Sequence, residues 1–413
     1  MKKLVILGAG TGGTVMANLL NKRLDKKDWS ITVIDKDNVH YYQPGFLFIP
    51  FGFYTADQIT KEKAKFLPKN VEFIVAETER IDPKNNAVVL PGGKRISYDF
   101  LIVATGADIQ PDETPGMRDG WRESVFDFYT IEGSLALAEK FKTFKGGTIV
   151  VHINEMPIKC PVAPLEFAFF CDWCMHRKKR RGEVELVFVT PLSGAFTKPV
   201  AAKKLGALLE ERNIRTITDF SAERVDATHK KLISYDSREV SFDLLVTVPT
   251  NMGAELIERS GLGDELRFIP TDPHTLRSKQ HENIFAIGDA TNLPSSKAGS
   301  VVHFQSEILA ANVVRAIEKK PLEEGFDGHS NCFIETGRRK GILIDFNYDL
   351  EPLPGRFPFP VIGPLPLLKP SRLNHMGKLA FRWIYWHMLL KGKPIPFIPS
   401  RMRLAGKKRP DQS

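Results

Sequence analysis

Gly8, Gly10 and Gly13 stand in a G-x-G-x-x-G spacing behind the apolar run Leu4-Val-Ile-Leu7. That spacing lets bare backbone turn close to a pyrophosphate and leaves the anion on a helix N-terminus. Thr11 and Gly12 complete the loop. A second apolar run, Ser30-Ile-Thr-Val-Ile34, ends in Asp35, where a carboxylate would accept bonds from a ribose hydroxyl; Lys36 follows it. The other residues with chemistry to offer are four cysteines, at 160, 171, 174 and 332. Four in a chain of 413 do not make a disulfide scaffold, and no further ligands complete a zinc pattern. Cys171 and Cys174 fall inside the helix expected from about Pro164 onward, among Phe and Trp, whereas a redox C-x-x-C opens its helix. They read as small buried hydrophobes.

The elements that must hold these residues are those of an α/β protein. Val15, Met16 and Leu19 recur at helical spacing after the glycine loop. Tyr41-Tyr-Gln-Pro-Gly-Phe-Leu-Phe-Ile-Pro50, with Gln43 in it, is either a buried loop or a wall beside a flat ring. The strand from Tyr98 closes on Ala104, Thr105 and Gly106, and the strand Asn283-Ile-Phe-Ala-Ile287 closes on Gly288 and Asp289. These three motifs, in this order, resemble the two-dinucleotide-binding flavoproteins of the glutathione reductase type. The resemblance covers residues 1 to about 320. It implies two Rossmann-like domains and an FAD held by the residues named so far, with Lys297 and Ala298 opening the helix beside the flavin ring.

The middle segment should carry that superfamily's second nucleotide site. Its strand is present, Gly147-Thr-Ile-Val-Val-His-Ile153, but the turn Asn154–Glu166 has three prolines and no glycine. Proline removes an amide donor and fixes its own φ, so an NADH phosphate cradle is not expected. A proline-flanked Cys160 followed by Glu166 resembles the sulfide:quinone oxidoreductase family and the flavoprotein subunit of sulfide-oxidising flavocytochrome c. The resemblance implies that Cys160 and Cys332 form one redox disulfide, Cys332 facing the flavin and Cys160 carrying sulfane sulfur. Glu166 is then a candidate for proton handling, or simply a carboxylate favoured at a helix start. Phe333 is a candidate quinone wall, or core. A third cysteine usual in the quinone-linked family is missing from Ser124-Val-Phe-Asp-Phe128, so FAD is expected to be non-covalent.

The expected organisation is an FAD domain of residues 1–112 and 240–321, a second Rossmann-like domain with a degenerate NADH site at 113–239, and a C-terminal quinone and membrane-interface region at 322–413. The net charge is +9, and the tail Lys391, Lys393, Arg401, Arg403, Lys407, Lys408, Arg409 holds much of it. From Arg372 to Leu390 a wheel places Leu373, Met376, Ala380, Trp383, Ile384 and Met388 on one side, and Asn374, His375, Lys378, Arg382 and Tyr385 on the other. That pattern suits an amphipathic helix lying in a lipid surface. With no signal peptide and no spanning segment, a peripheral cell-membrane protein is expected, separable from the membrane by removing the chain past Pro370. Expected partners are sulfide, a membrane quinone and the bilayer; nucleic acid is not expected, and a homo-oligomer is left open. Alternatives are a cytochrome-linked sulfide dehydrogenase, a type II NADH:quinone oxidoreductase-like enzyme, or a flavin-binding scaffold without turnover.

Overall fold

A computed structural model describes residues 1–359, 362–396 and 398–407, so Lys408 and Arg409 of the basic tail lie outside the described residues. The first sheet has five parallel strands in the spatial order Ile284–Ala286, Phe100–Val103, Lys2–Leu7, Trp29–Asp35 and Glu72–Val75. Its inner strands are buried almost throughout, which is why they read as unbroken apolar runs. A second parallel sheet orders Val125–Phe126, Leu244–Val248, Gly147–Ile153, Val184–Val189 and Ile214–Ile217. Both sheets are thus α/β units, as the motifs imply. In each, the motif loop leaves the C-terminal end of a strand, the end at which such sheets bind ligands.

Two long helices serve the first sheet: Thr11–Arg23 after the glycine loop, and Gly299–Ile317, which packs against it. The loop from Tyr41 is largely buried. Tyr42, Phe46 and Ile49 join the core of the first sheet, and Leu47 and Phe48 join that of the second. A third sheet, in the order Ser330–Glu335, Gly341–Phe346, Leu365–Leu367, Gly355–Phe357, covers the second core from the far side.

The C-terminal helix runs from Arg372 to Ile384, ending before Leu390, and passes into a π-helical turn, Tyr385–Leu389. Its faces are inverted relative to a packed helix. Leu373, Met376 and Trp383 are 48%, 61% and 60% exposed. The polar residues point inward: Asn374 is fully buried, its Nδ2 donating to the carbonyls of Pro366 and Lys369. Among the described residues, no helix is long and apolar enough to cross a membrane.

The segment after Ile384 corrects the expectation of a separable tail. Tyr385, Trp386, Leu389 and Leu390 are buried in the core of the first sheet, with Trp386 stacked on Phe66 at 5.2 Å. Removing the chain past Pro370 therefore strips that core rather than freeing a surface anchor. Trp386→Ala is expected to cost about 3–5 kcal/mol of stability, read as a lowered urea midpoint. A midpoint within error of the parent would mean that this segment is not part of the core.

Candidate redox site

The glycine loop is built for close approach. Gly8 has φ +92°, and a Cβ there would collide with the Ala104 carbonyl; one on Gly13 would collide with the Gly8 carbonyl. These two glycines fix the crossing of strand, helix and the second approach at Ala104–Gly106. Gly10 and Gly106, by contrast, face open space. The helix Thr11–Arg23 has no side-chain cap, so its first-turn amides point unpaired toward that space. Asp35 closes the loop from behind, accepting from the Ala9 amide at 2.5 Å and pairing with Lys63 at 2.7 Å. Thr105 Oγ1 is buried without a partner among the described residues. An open glycine-lined gap with an orphaned hydroxyl and free helix amides fits the pyrophosphate and ribityl side of FAD. Gly12 is buried in the loop, while Lys36 and Gln43 are exposed at its margin.

The Gly288–Asp289 turn and Lys297 form the other side. The Gly288 amide donates to Gln305 Oε1 at 2.9 Å. Lys297 turns its ammonium inward, donating to the carbonyls of Asp289 (3.1 Å) and Thr291 and lying over the Phe268 ring. Burial lowers its pKa to about 8, against the pull of Asp289. It braces the turn from within, and Ala298 caps the helix that begins at Gly299.

That helix start brings the two cysteines together. The Cys160 amide donates to the Lys297 carbonyl at 2.6 Å, while Ser300 Oγ donates to the carbonyl of Asn331, next to Cys332, at 2.9 Å. Cys332 belongs to the second core and Cys160 packs against the same cluster. Both thiols are free in this structure. Burial, then Glu166, pushes the Cys160 thiol up to about 12, and burial raises Cys332 further, with Cys160 and Glu166 adding to it. Cys160 also sits at φ +43°, a left-handed backbone. Three bonds hold it there: its amide to Lys297, and its carbonyl accepting from Ala163 N (2.8 Å) and Tyr129 Oη (3.2 Å).

Glu166 is more than a helix-start carboxylate. It is buried in Ala163–Arg177, accepts from the Glu335 amide at 2.5 Å, and pairs with Lys378 of the C-terminal helix. Burial raises its pKa although Lys378 opposes the shift. Glu335 in turn holds His375 at 2.8 Å. Phe333 lies on the other face of its strand from Cys332 and Ile334. It packs with the small cluster of Leu343, Phe357 and Leu367, under Gly377 of the C-terminal helix. It is therefore not a wall of the cysteine site itself.

The turn after Gly147–Ile153 keeps its amides for the protein. Asn154 N donates to Val248 O, Lys159 N to Asn251 Oδ1 and Cys160 N to Lys297 O. Donors so engaged are unavailable to a pyrophosphate. Cys171 and Cys174 are buried in their helix, their thiols pushed up by burial. Lys63, Tyr385, Lys378, Glu335 and His375 escaped the sequence reading as site residues. Each meets its partner across 26 to 374 positions and sits in no motif.

Fold and site define a flavoprotein with two Rossmann-like domains, an FAD-dependent oxidoreductase. Residues 2–151 match the family described as pyridine nucleotide-disulphide oxidoreductase. Within that class the chain is similar to sulfide:quinone oxidoreductases. It is 26% identical over 401 residues to the mitochondrial enzyme of Dictyostelium discoideum, covering 95% of this chain and 86% of that one. It is 25% identical to the sulfide-quinone reductase of Aquifex aeolicus over 93% and 90% of the two chains. The solved structure of sulfide:quinone oxidoreductase from Aquifex aeolicus superposes with a TM-score of 0.77 at 22% identity, covering 95% and 92%.

Two buried neutral histidines set an acid limit on the fold. Burial depresses His40 to about 4 and His152 to about 3. A depressed histidine contributes stability above its unfolded pKa of about 6.5, and that stability is lost as pH falls toward the folded value. Urea midpoints should therefore drop steeply from pH 6.5 to 4, and His152→Gln should flatten part of the slope. An unchanged slope would mean that His152 is charged in the native protein.

Proposed function

We propose that the protein oxidises sulfide to sulfane sulfur or polysulfide and passes two electrons to a membrane quinone. The observation that carries this is the meeting of Cys160 and Cys332 at the first turn of the Gly299–Ile317 helix, beside the glycine loop. A Cys160–Cys332 disulfide is the oxidised form of that pair. HS⁻ attacks the Cys160 sulfur; the S–S bond breaks, leaving a persulfide on Cys160 and the electron pair on Cys332 as thiolate. Burial that disfavours a Cys332 anion gives the electron pair a reason to move on. Glu166, a carboxylate whose own pKa burial raises, accepts the persulfide proton, and Lys378 holds the resulting charge balance. FAD, held non-covalently by Gly8, Gly10, Thr11, Gly13, Asp35, Thr105, Gly106 and Asp289, supplies the two-electron acceptor between sulfide and quinone.

The exposed face of Leu373, Met376, Leu379 and Trp383 fits a peripheral membrane contact. Phe333, just beneath that helix, is the proposed quinone wall, on the side from which a lipid-soluble acceptor would arrive. The NADH-linked alternative is disfavoured by the engaged amides of the 154–160 turn.

Sulfide should bleach the flavin in purified protein, and NADH should not; reduction by NADH at a comparable rate would overturn the donor assignment. Cys332→Ser should lower sulfide-dependent flavin reduction by orders of magnitude with FAD still bound, and Cys160→Ser should abolish steady turnover. Cys171→Ser and Cys174→Ser should leave turnover near the parent, with a packing loss of about 1–3 kcal/mol. The reverse pattern in a stopped-flow and steady-state comparison would place the site elsewhere.

A further inference from the structure

The segment after the C-terminal helix does more than fill core. It runs along the Thr11–Arg23 helix from its first residue to its last turn. Tyr385 Oη lies 2.7 Å from Thr11 Oγ1 and 2.7 Å from His40 Nε2. Further along, Asn18 Nδ2 donates to the Leu390 carbonyl at 3.1 Å, and Lys22 Nζ to the Gly392 carbonyl at 3.1 Å. The Tyr385 ring is 2% exposed, and a Cβ placed on Gly299 would touch both that ring and Thr11. The phenol therefore stands where the starts of the Thr11–Arg23 and Gly299–Ile317 helices converge. The π-helical turn allows this, because widening the helix at 385 swings Tyr385 and Trp386 together into the core.

Thr11 is the first residue of the glycine-loop helix, and its hydroxyl has one rotatable bond to aim. A half-buried hydroxyl bonded to a phenol that His40 fixes from its other side cannot sample the rotamers a free threonine would. The strap thereby fixes the edge of the pyrophosphate cradle before the anion arrives, which lowers the ordering cost of binding.

We propose that Tyr385 is a positioning residue for the dinucleotide loop, so that retention of FAD depends on a side chain 374 positions away through its hydrogen bond to Thr11. The proposal rests on the flavoprotein reading but not on sulfide as donor, and it is tested without turnover. Apoprotein is titrated with FAD, and Kd is read from quenching of flavin fluorescence. Tyr385→Phe removes only the hydroxyl and should weaken binding about tenfold, the size of one preorganised hydrogen bond. Thr11→Val should do the same, and the double variant should be no weaker than the weaker single, because both break one contact. The ³¹P resonances of bound FAD should shift in Tyr385→Phe, a signature that loss of packing alone would not produce.

Binding by Tyr385→Phe within twofold of the parent, or additive losses in the double variant, would overturn the proposal. So would weakened binding with unmoved ³¹P resonances. Should Tyr385→Phe not fold, Thr11→Ser against Thr11→Val asks the same question from the loop. Retention of affinity by the serine alone supports the hydroxyl contact, and equal losses refute it.

Discussion

An ammonium buried in protein must be surrounded by acceptors, and the way Lys297 meets that demand organises the centre of this molecule. Its charge is met by two carbonyls of the Gly288–Thr291 turn and by an aromatic face, so the turn cannot relax without stranding it. Its own carbonyl takes the Cys160 amide, and the helix opening two residues later carries Ser300, which holds the Cys332 strand. The short stretch from Lys297 to Ser300 thus ties the end of a first-sheet strand, a loop from the second sheet and a strand of the third together.

The structure's local features were legible in the chain and its long-range ones were not. Gly8, Gly13 and Asp35 could be read because strand, turn and helix follow one another within a few dozen residues, and each glycine has a steric reason to be there. The glycine-free turn after residue 153 was also legible, since proline's missing amide is a local fact. That Cys160 and Cys332 lie near one another was expected only from resemblance, because the contacts around them run through Lys297 and Ser300. The face that Phe333 takes was legible as well. In a strand, neighbours point to opposite faces, so a residue beside Cys332 in sequence had to lie behind it in space.

The C-terminal helix shows the limit of a wheel diagram. The pattern gives two faces but not which one the protein keeps. Here buried polar anchors decide it: Asn374 on two carbonyls, His375 on Glu335 and Lys378 on Glu166. These pairs would be left unsatisfied if the helix rolled over, so the apolar side stays outward. The same helix that keeps an apolar face outward is thereby tied to Glu166, the carboxylate beside Cys160. Its continuation, Tyr385 to Leu390, belongs to the nucleotide-binding core.

The left-handed backbone at Cys160 has a consequence for how variation at that position would be tolerated. The proposed chemistry asks for a thiol there, whereas the chain geometry favours glycine, which adopts such a φ without steric penalty. In a saturation scan the two demands would separate. Glycine would rank among the best-folding substitutions and among the least active, while β-branched residues would fail on both counts. A position where abundance and activity rank the amino acids in opposite orders marks a residue retained against the preference of its own backbone.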